Sequence, residues 1–68
     1  GMGTRLRTLV ADVPKPMAPV AGKPFLHYQF LYLKKQGIER VILSVGYLSH
    51  VVKDYFGDSY EGISIQYS

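Results

Sequence analysis

Two short stretches near the start of the chain hold residue types suited to gripping an anion. The first is Gly1-Met2-Gly3-Thr4-Arg5-Leu6. Glycine lets a backbone approach a ligand closely, and successive free N–H groups in such a loop form an anion-binding concavity. Arg5 follows at once, and a guanidinium can hold a phosphate through two parallel hydrogen bonds. The stretch is not a Walker loop, because Gly-Lys-Ser/Thr is missing at the required spacing. It also lacks the third glycine of a dinucleotide fingerprint. The second stretch is Pro14-Lys15-Pro16-Met17. Prolines on both sides stiffen the backbone, so the Lys15 ammonium is aimed and loses less freedom on binding. Arg5 and Lys15 stand ten residues apart, joined by a segment that could return to the glycine turn. Together they would offer two cations and several amides to one polyphosphate. Either stretch alone is an ordinary turn; the chemistry rests on their occurring together.

The placement of charge agrees. The net charge is +3, and residues 1–23, with Arg5, Arg7, Lys15 and Lys23 against Asp12, account for all of it. The four basic and four acidic residues of 34–68 cancel. A local excess suits a small anionic ligand and is too small and too focused for nucleic-acid binding through a broad basic face. With 47% apolar and 19% charged residues the chain is not disordered in composition. Its apolar stretches fall short of the ~20 residues that cross a bilayer, so no membrane role is expected. There is no cysteine, hence no disulfide framework and no thiolate metal site, which agrees with a reducing, cytoplasmic setting. His27 and His50 have no partner at metal-ligand spacing and read as structural. The tyrosines are spread along the chain and read as packing residues, not as a base-stacking platform.

The elements that must position these residues follow from spacing and breakers. A short helical turn is expected between Gly3 and Leu9. Pro14-Lys15-Pro16 is extended, since each proline disfavours the helical region for the residue before it. Ala21-Gly22 is a tight turn, shaped in part by Lys23. Residues 24–36 form a helix: Pro24 suits the first helical position, Lys34 and Lys35 oppose the negative helix end, and Gly37 is a left-handed stop. Residues 40–45 are rich in β-branched side chains, the pattern of a strand covered on both faces. A second helix runs from Ser49 to about Phe56, and residues 63–67 alternate as another strand. Strand–helix–strand with short links implies a right-handed crossover and a parallel sheet. Two strands are too few to stand alone. Further sequence on both sides, or a second copy joined through exposed strand edges, is expected to complete the sheet.

Taken in order, Gly3-Thr4-Arg5-Leu6, Pro14-Lys15-Pro16-Met17, Pro19-Val20 and Gly22-Lys23-Pro24 resemble the amino-terminal signature of the sugar-1-phosphate nucleotidyltransferases. Lys34-Lys35-Gln36-Gly37-Ile38, the strand from Val41, Gly46-Tyr47-Leu48 and Tyr55-Phe56-Gly57-Asp58 continue the likeness. The resemblance covers residues 1–68. The run Arg7-Thr8-Leu9-Val10-Ala11-Asp12-Val13 is most similar to the D-glycero-D-manno-heptose 1-phosphate guanylyltransferases, with Thr8 where many relatives carry proline.

The resemblance implies a Rossmann-like three-layer αβα sandwich with parallel strands, of which 1–68 is an incomplete, amino-terminal part. It implies transfer of a nucleotide from a nucleoside triphosphate, GTP in the closest subgroup, to a sugar 1-phosphate, with release of pyrophosphate. Arg5 would stabilise the leaving pyrophosphate, Lys15 the α-phosphate oxygens, and Gly1, Gly3 and Thr4 would line the nucleotide. Magnesium would be held by carboxylates outside this chain, since Asp12, Glu39, Asp54, Asp58 and Glu61 do not match those positions. A non-catalytic nucleotide-binding or self-assembling module of the same descent is the alternative reading.

Overall fold

Burial alternates along the central strand, and that alternation orders the rest of the molecule. The computed structural model describes residues 7–68. Its strands are β1 (Thr8–Asp12), β2 (Pro19–Val20), β3 (Lys23–Pro24), β4 (Arg40–Ser44), β5 (Ser59–Tyr60) and β6 (Ile63–Tyr67). Its helices are α1 (Phe25–Lys35) and α2 (Ser49–Phe56). The main sheet has the order β1-β4-β6-β5, and β2 and β3 form a separate hairpin. β4 pairs in parallel with both β1 and β6, while β5 returns antiparallel on β6.

Both crossovers, β1–α1–β4 and β4–α2–β6, step across the sheet in the same direction. Crossovers of one hand then set both helices on one face. Burial agrees: Val41, Leu43, Ile63 and Ile65 of the sheet join Leu26 and Phe30 of α1 and Val52 and Phe56 of α2 in one core. Phe30, Phe56 and Tyr60 bind the two helices together, with ring centroids 5.5 Å apart for Phe30–Phe56 and 4.5 Å for Phe56–Tyr60. The opposite sheet face carries Val10, 71% exposed, beside the half-buried Ile42. The expectation that residues 40–45 are covered on both faces is therefore corrected. Arg40, Ile42 and Ser44 point away from the helices, and the described residues form two layers, helices over a mostly parallel sheet.

The helix ends follow local rules. Pro24 caps α1 in an extended conformation, with φ −61° and ψ 146°. At the other end Gly37 takes φ +80°, Ile38 N–H donates to the Leu33 carbonyl and Gly37 N–H to that of Lys34. This paired closure satisfies the last carbonyls. In the β2–β3 hairpin both turn residues have positive φ, Ala21 at 49° and Gly22 at 85°, the geometry that matches strand twist in a two-residue turn.

β1 also departs from the sequence-based expectation. Thr8 and Leu9 lie in β1, not in a helical turn, and residues 3–6 of that expected turn are outside the described residues. The pairing is long-range: the Arg7 carbonyl accepts from the N–H groups of Glu39 and Arg40 at 2.8 and 3.1 Å, and Leu9 lies beside Val41.

Candidate functional site

β1, β4 and β6 run in parallel, so their carboxyl ends share one edge of the sheet. Open α/β sheets bind ligands outside that edge. Here β1 exits through Val13-Pro14-Lys15-Pro16, and β4 exits through a short helical turn, Gly46–Leu48, into α2.

The Lys15 turn is fixed from beneath. Pro16 is among the fully buried side chains, whereas Pro14 and Lys15 are exposed. The Pro16 carbonyl accepts from Leu26 N–H at 2.9 Å, and the Ala18 carbonyl from Phe25 N–H at 2.7 Å. Two of the first amides of α1, orphans in an isolated helix, are thus used to hold the loop. Ala18 N–H also donates to the Lys15 carbonyl at 3.3 Å. Lys15 stands at the start of this braced turn, with Pro16 and Met17 at its tip. The only ion pair among the described residues is Lys34–Glu61 at 3.4 Å, at another place. The Lys15 ammonium therefore has no carboxylate partner among them, and a solvent-exposed cation on a rigid turn is suited to a phosphate oxygen.

The turn after β4 adds backbone features that the sequence reading did not assign to the site. Gly46 has φ +59°, Tyr47 is 88% exposed, and α2 begins two residues later without a side-chain cap. Asp12 and Ser44, both exposed, end the two strands on the same edge. The signal that could have found them is topological: parallel strands put their exits together.

Of the residues expected to bind nucleotide, Lys15 lies on this edge. Gly1, Gly3, Thr4 and Arg5 lie outside the described residues. Arg7 is at the opposite edge, its Nη1 3.5 Å from where a β-carbon on Gly37 would stand. Lys23 is exposed in the β2–β3 hairpin, paired with Val20. His27 is structural, with Nδ1 2.8 Å from the Tyr60 hydroxyl and its ring edge-on to Tyr28 and Tyr60. The tyrosines divide. Tyr28 donates to the Val20 carbonyl and Tyr67 to that of Gly57, each at 2.8 Å, and Tyr60 packs against Phe30 and Phe56. Tyr32, Tyr47 and Tyr55 are exposed, which corrects the expectation that the tyrosines pack.

Burial pushes the phenols of Tyr60 and Tyr67 up, with Tyr55 and Glu61 adding to the first and Asp58 to the second. Both are structural groups on the core side. Among the described residues no cluster of His, Cys, Asp or Glu could hold a metal ion. They do not fit magnesium. A cavity of about 370 Å³ lies between α1 and the β1–β4 face, lined by Leu9, Ala11, Tyr28, Gln29 and Tyr32 among others. It is apolar and holds no cation, so it is not a phosphate site.

A family model described as nucleotidyl transferase matches residues 1–68. The chain is 60% identical over its whole length to a D-glycero-alpha-D-manno-heptose 1-phosphate guanylyltransferase of Aneurinibacillus thermoaerophilus, spanning 30% of that protein. It is 57% identical to one of Campylobacter jejuni, spanning 31%. Against a mannose-1-phosphate guanylyltransferase of Mycobacterium tuberculosis the identity is 47%, over 98% of this chain and 19% of the relative. The chain thus spans under a third of the length of these curated relatives. No solved structure matches it.

Proposed function

The chain belongs to the nucleotidyl transferase family, and on that premise we propose that it supplies the nucleotide-gripping part of an enzyme that transfers a nucleotide to a sugar 1-phosphate. The two heptose 1-phosphate guanylyltransferases, at 60% and 57% identity, support GTP and D-glycero-D-manno-heptose 1-phosphate as the substrates. In this reading a phosphate oxygen of the sugar 1-phosphate attacks the α-phosphorus of the triphosphate. The bond to the β-phosphate oxygen breaks, pyrophosphate leaves with that electron pair, and a nucleotide-sugar forms. Such transfers depend on positioning and charge neutralisation. Lys15 neutralises the α-phosphate oxygens as charge develops. Arg5 binds the leaving pyrophosphate, and Gly1, Gly3 and Thr4 line the nucleotide. The absence of cysteine and the use of a nucleoside triphosphate support a cytoplasmic setting.

The observation that carries this reading is the Lys15 turn, held on the carboxyl edge by Pro16 and Ala18, with its ammonium unpaired among the described residues. In the longer enzyme, Arg5→Ala or Lys15→Ala should each lower turnover by on the order of 10²–10³. Undiminished pyrophosphate release from either variant would remove the assigned roles. The alternative, a module that binds nucleotide without turnover, is motivated by the lack, among the described residues, of a carboxylate cluster that could hold a metal ion. GTP binding without pyrophosphate release, with the sugar 1-phosphate present, would identify it. The exposed strand edge and exposed apolar side chains also support association between copies of the chain.

A further inference from the structure

The β5–β6 hairpin grips α1 at two points. His27 and Lys34 stand seven residues apart, two helical turns, and so share a face of the helix. His27 Nδ1 lies 2.8 Å from the Tyr60 hydroxyl, and Lys34 Nζ lies 3.4 Å from Glu61 Oε1. The two grips differ in strength. The Lys34–Glu61 pair is exposed, and such pairs contribute little. The His27–Tyr60 bond is partly buried. The Tyr60 ring also packs on Phe30 and Phe56, so this bond ties α1 to the aromatic core.

The place of that bond on the helix gives it a further consequence. His27 is the third residue of α1. The two residues before it, Phe25 and Leu26, donate their amides to the Ala18 and Pro16 carbonyls at 2.7 and 2.9 Å, and Ala18 N–H donates to the Lys15 carbonyl. A continuous line of contacts therefore runs from the core, through the Tyr60 hydroxyl and His27, to the lysine turn. Leu26 and Phe30 hold the same end of α1 by apolar packing, which is non-directional and tolerates rotation of the helix about its axis. A hydrogen bond resists rotation, because it weakens steeply off its line. Turning α1 would carry the Phe25 and Leu26 amides away from their carbonyls and release the turn that carries Lys15.

We propose that His27 and Tyr60 are a positioning pair for Lys15: their hydrogen bond fixes the rotation of α1 and, through the Phe25 and Leu26 amides, the place of the lysine turn. Every group involved is already paired within residues 15–60. The functional consequence rests on the reading of Lys15 as a phosphate-gripping cation; the positioning itself does not, and each can fail alone.

Hydrogen exchange tests the positioning, and calorimetric titration with GTP tests its consequence. Tyr60→Phe keeps the ring and removes the hydroxyl; His27→Leu breaks the bond from the other side. Each should speed exchange of the Leu26 amide by about 2–10-fold, the range of one hydrogen bond. Exchange at Ile38, bonded to the Leu33 carbonyl at the far end of α1, should stay constant. Each variant should also weaken GTP binding by about 2–10-fold, and should add no further loss once Lys15 is alanine, because coupled positions are non-additive. His27→Asn, whose Oδ1 stands near the place of Nδ1, should restore both readouts. Lys34→Ala, which releases only the exposed grip, should change neither. Unchanged Leu26 exchange in both variants overturns the positioning, as does equal acceleration at Leu26 and Ile38, the sign of a helix loosened throughout. An equal loss of GTP affinity with and without Lys15 overturns action through the lysine. Faster Leu26 exchange with no GTP binding by any form of the chain upholds the positioning and overturns the nucleotide reading instead.

Discussion

Two prolines flank Lys15, and the structure gives them different work. Pro16 is fully buried, while Pro14 is exposed. Replacing Pro16 with alanine removes two buried methylene equivalents, at about 0.8 kcal/mol each. It also restores freedom to the unfolded chain, worth about 0.4–1 kcal/mol. The expected loss is about 2–2.5 kcal/mol, the sum of those two effects. For a domain of this size that lowers Tm by roughly 8–20 °C. Pro14→Ala forfeits only the entropic part, about 0.4–1 kcal/mol. Urea unfolding followed by circular dichroism measures both. Pro16→Ala should shift the midpoint at least twice as far as Pro14→Ala, with an unchanged slope. Equal shifts, or a smaller shift for Pro16→Ala, would refute the claim that the lysine turn is anchored by that ring.

The remaining expectations concern the scaffold. Phe30, wholly buried between Phe56 and Tyr60, should cost about 3–5 kcal/mol on truncation to alanine. A domain of this length holds only about 3–10 kcal/mol in all, so Phe30→Ala should lose the cooperative unfolding transition; a shift below about 1 kcal/mol would show the aromatic cluster to be peripheral. Gly37→Ala forces a side chain into φ +80° and should cost about 1–2 kcal/mol, read from the same titration. Above pH 10 stability should fall. Folded Tyr60 and Tyr67 have pKa values raised above the ordinary 10.0, so their contribution is full below that value and is lost as pH rises through the folded ones. A loss just as steep in a Tyr60→Phe/Tyr67→Phe variant would acquit the phenols.

What the sequence disclosed was local. α1, α2, β4 and β6 were legible because apolar spacing, Pro24, Gly37 and Gly57 fix them within a few residues of chain. β1 was not. Its five residues become a strand only by pairing with β4, about thirty residues on, and non-local pairing overrides local tendency. The uncovered sheet face was equally hidden, because a run such as Val41-Ile42-Leu43 reads as buried on both sides, although only Val41 and Leu43 meet the helices. For the site, the stiffness around Lys15 was plain in the prolines. The carbonyl contacts bracing the turn, and the neighbouring exit at Gly46, required the parallel topology. Arg5, the second expected cation and the proposed partner of Lys15, lies outside the described residues.

Calorimetric titration of the chain with GTP tests that partnership most directly. A charge-assisted hydrogen bond contributes about 1.5–3 kcal/mol, so Lys15→Ala and Arg5→Ala should each weaken binding by roughly 10–150-fold. Lys35→Ala, an exposed lysine in the last turn of α1, should leave it unchanged. Wild-type affinity in the Lys15 variant, or equal losses in all three, would contradict a triphosphate grip built on the carboxyl edge of this sheet.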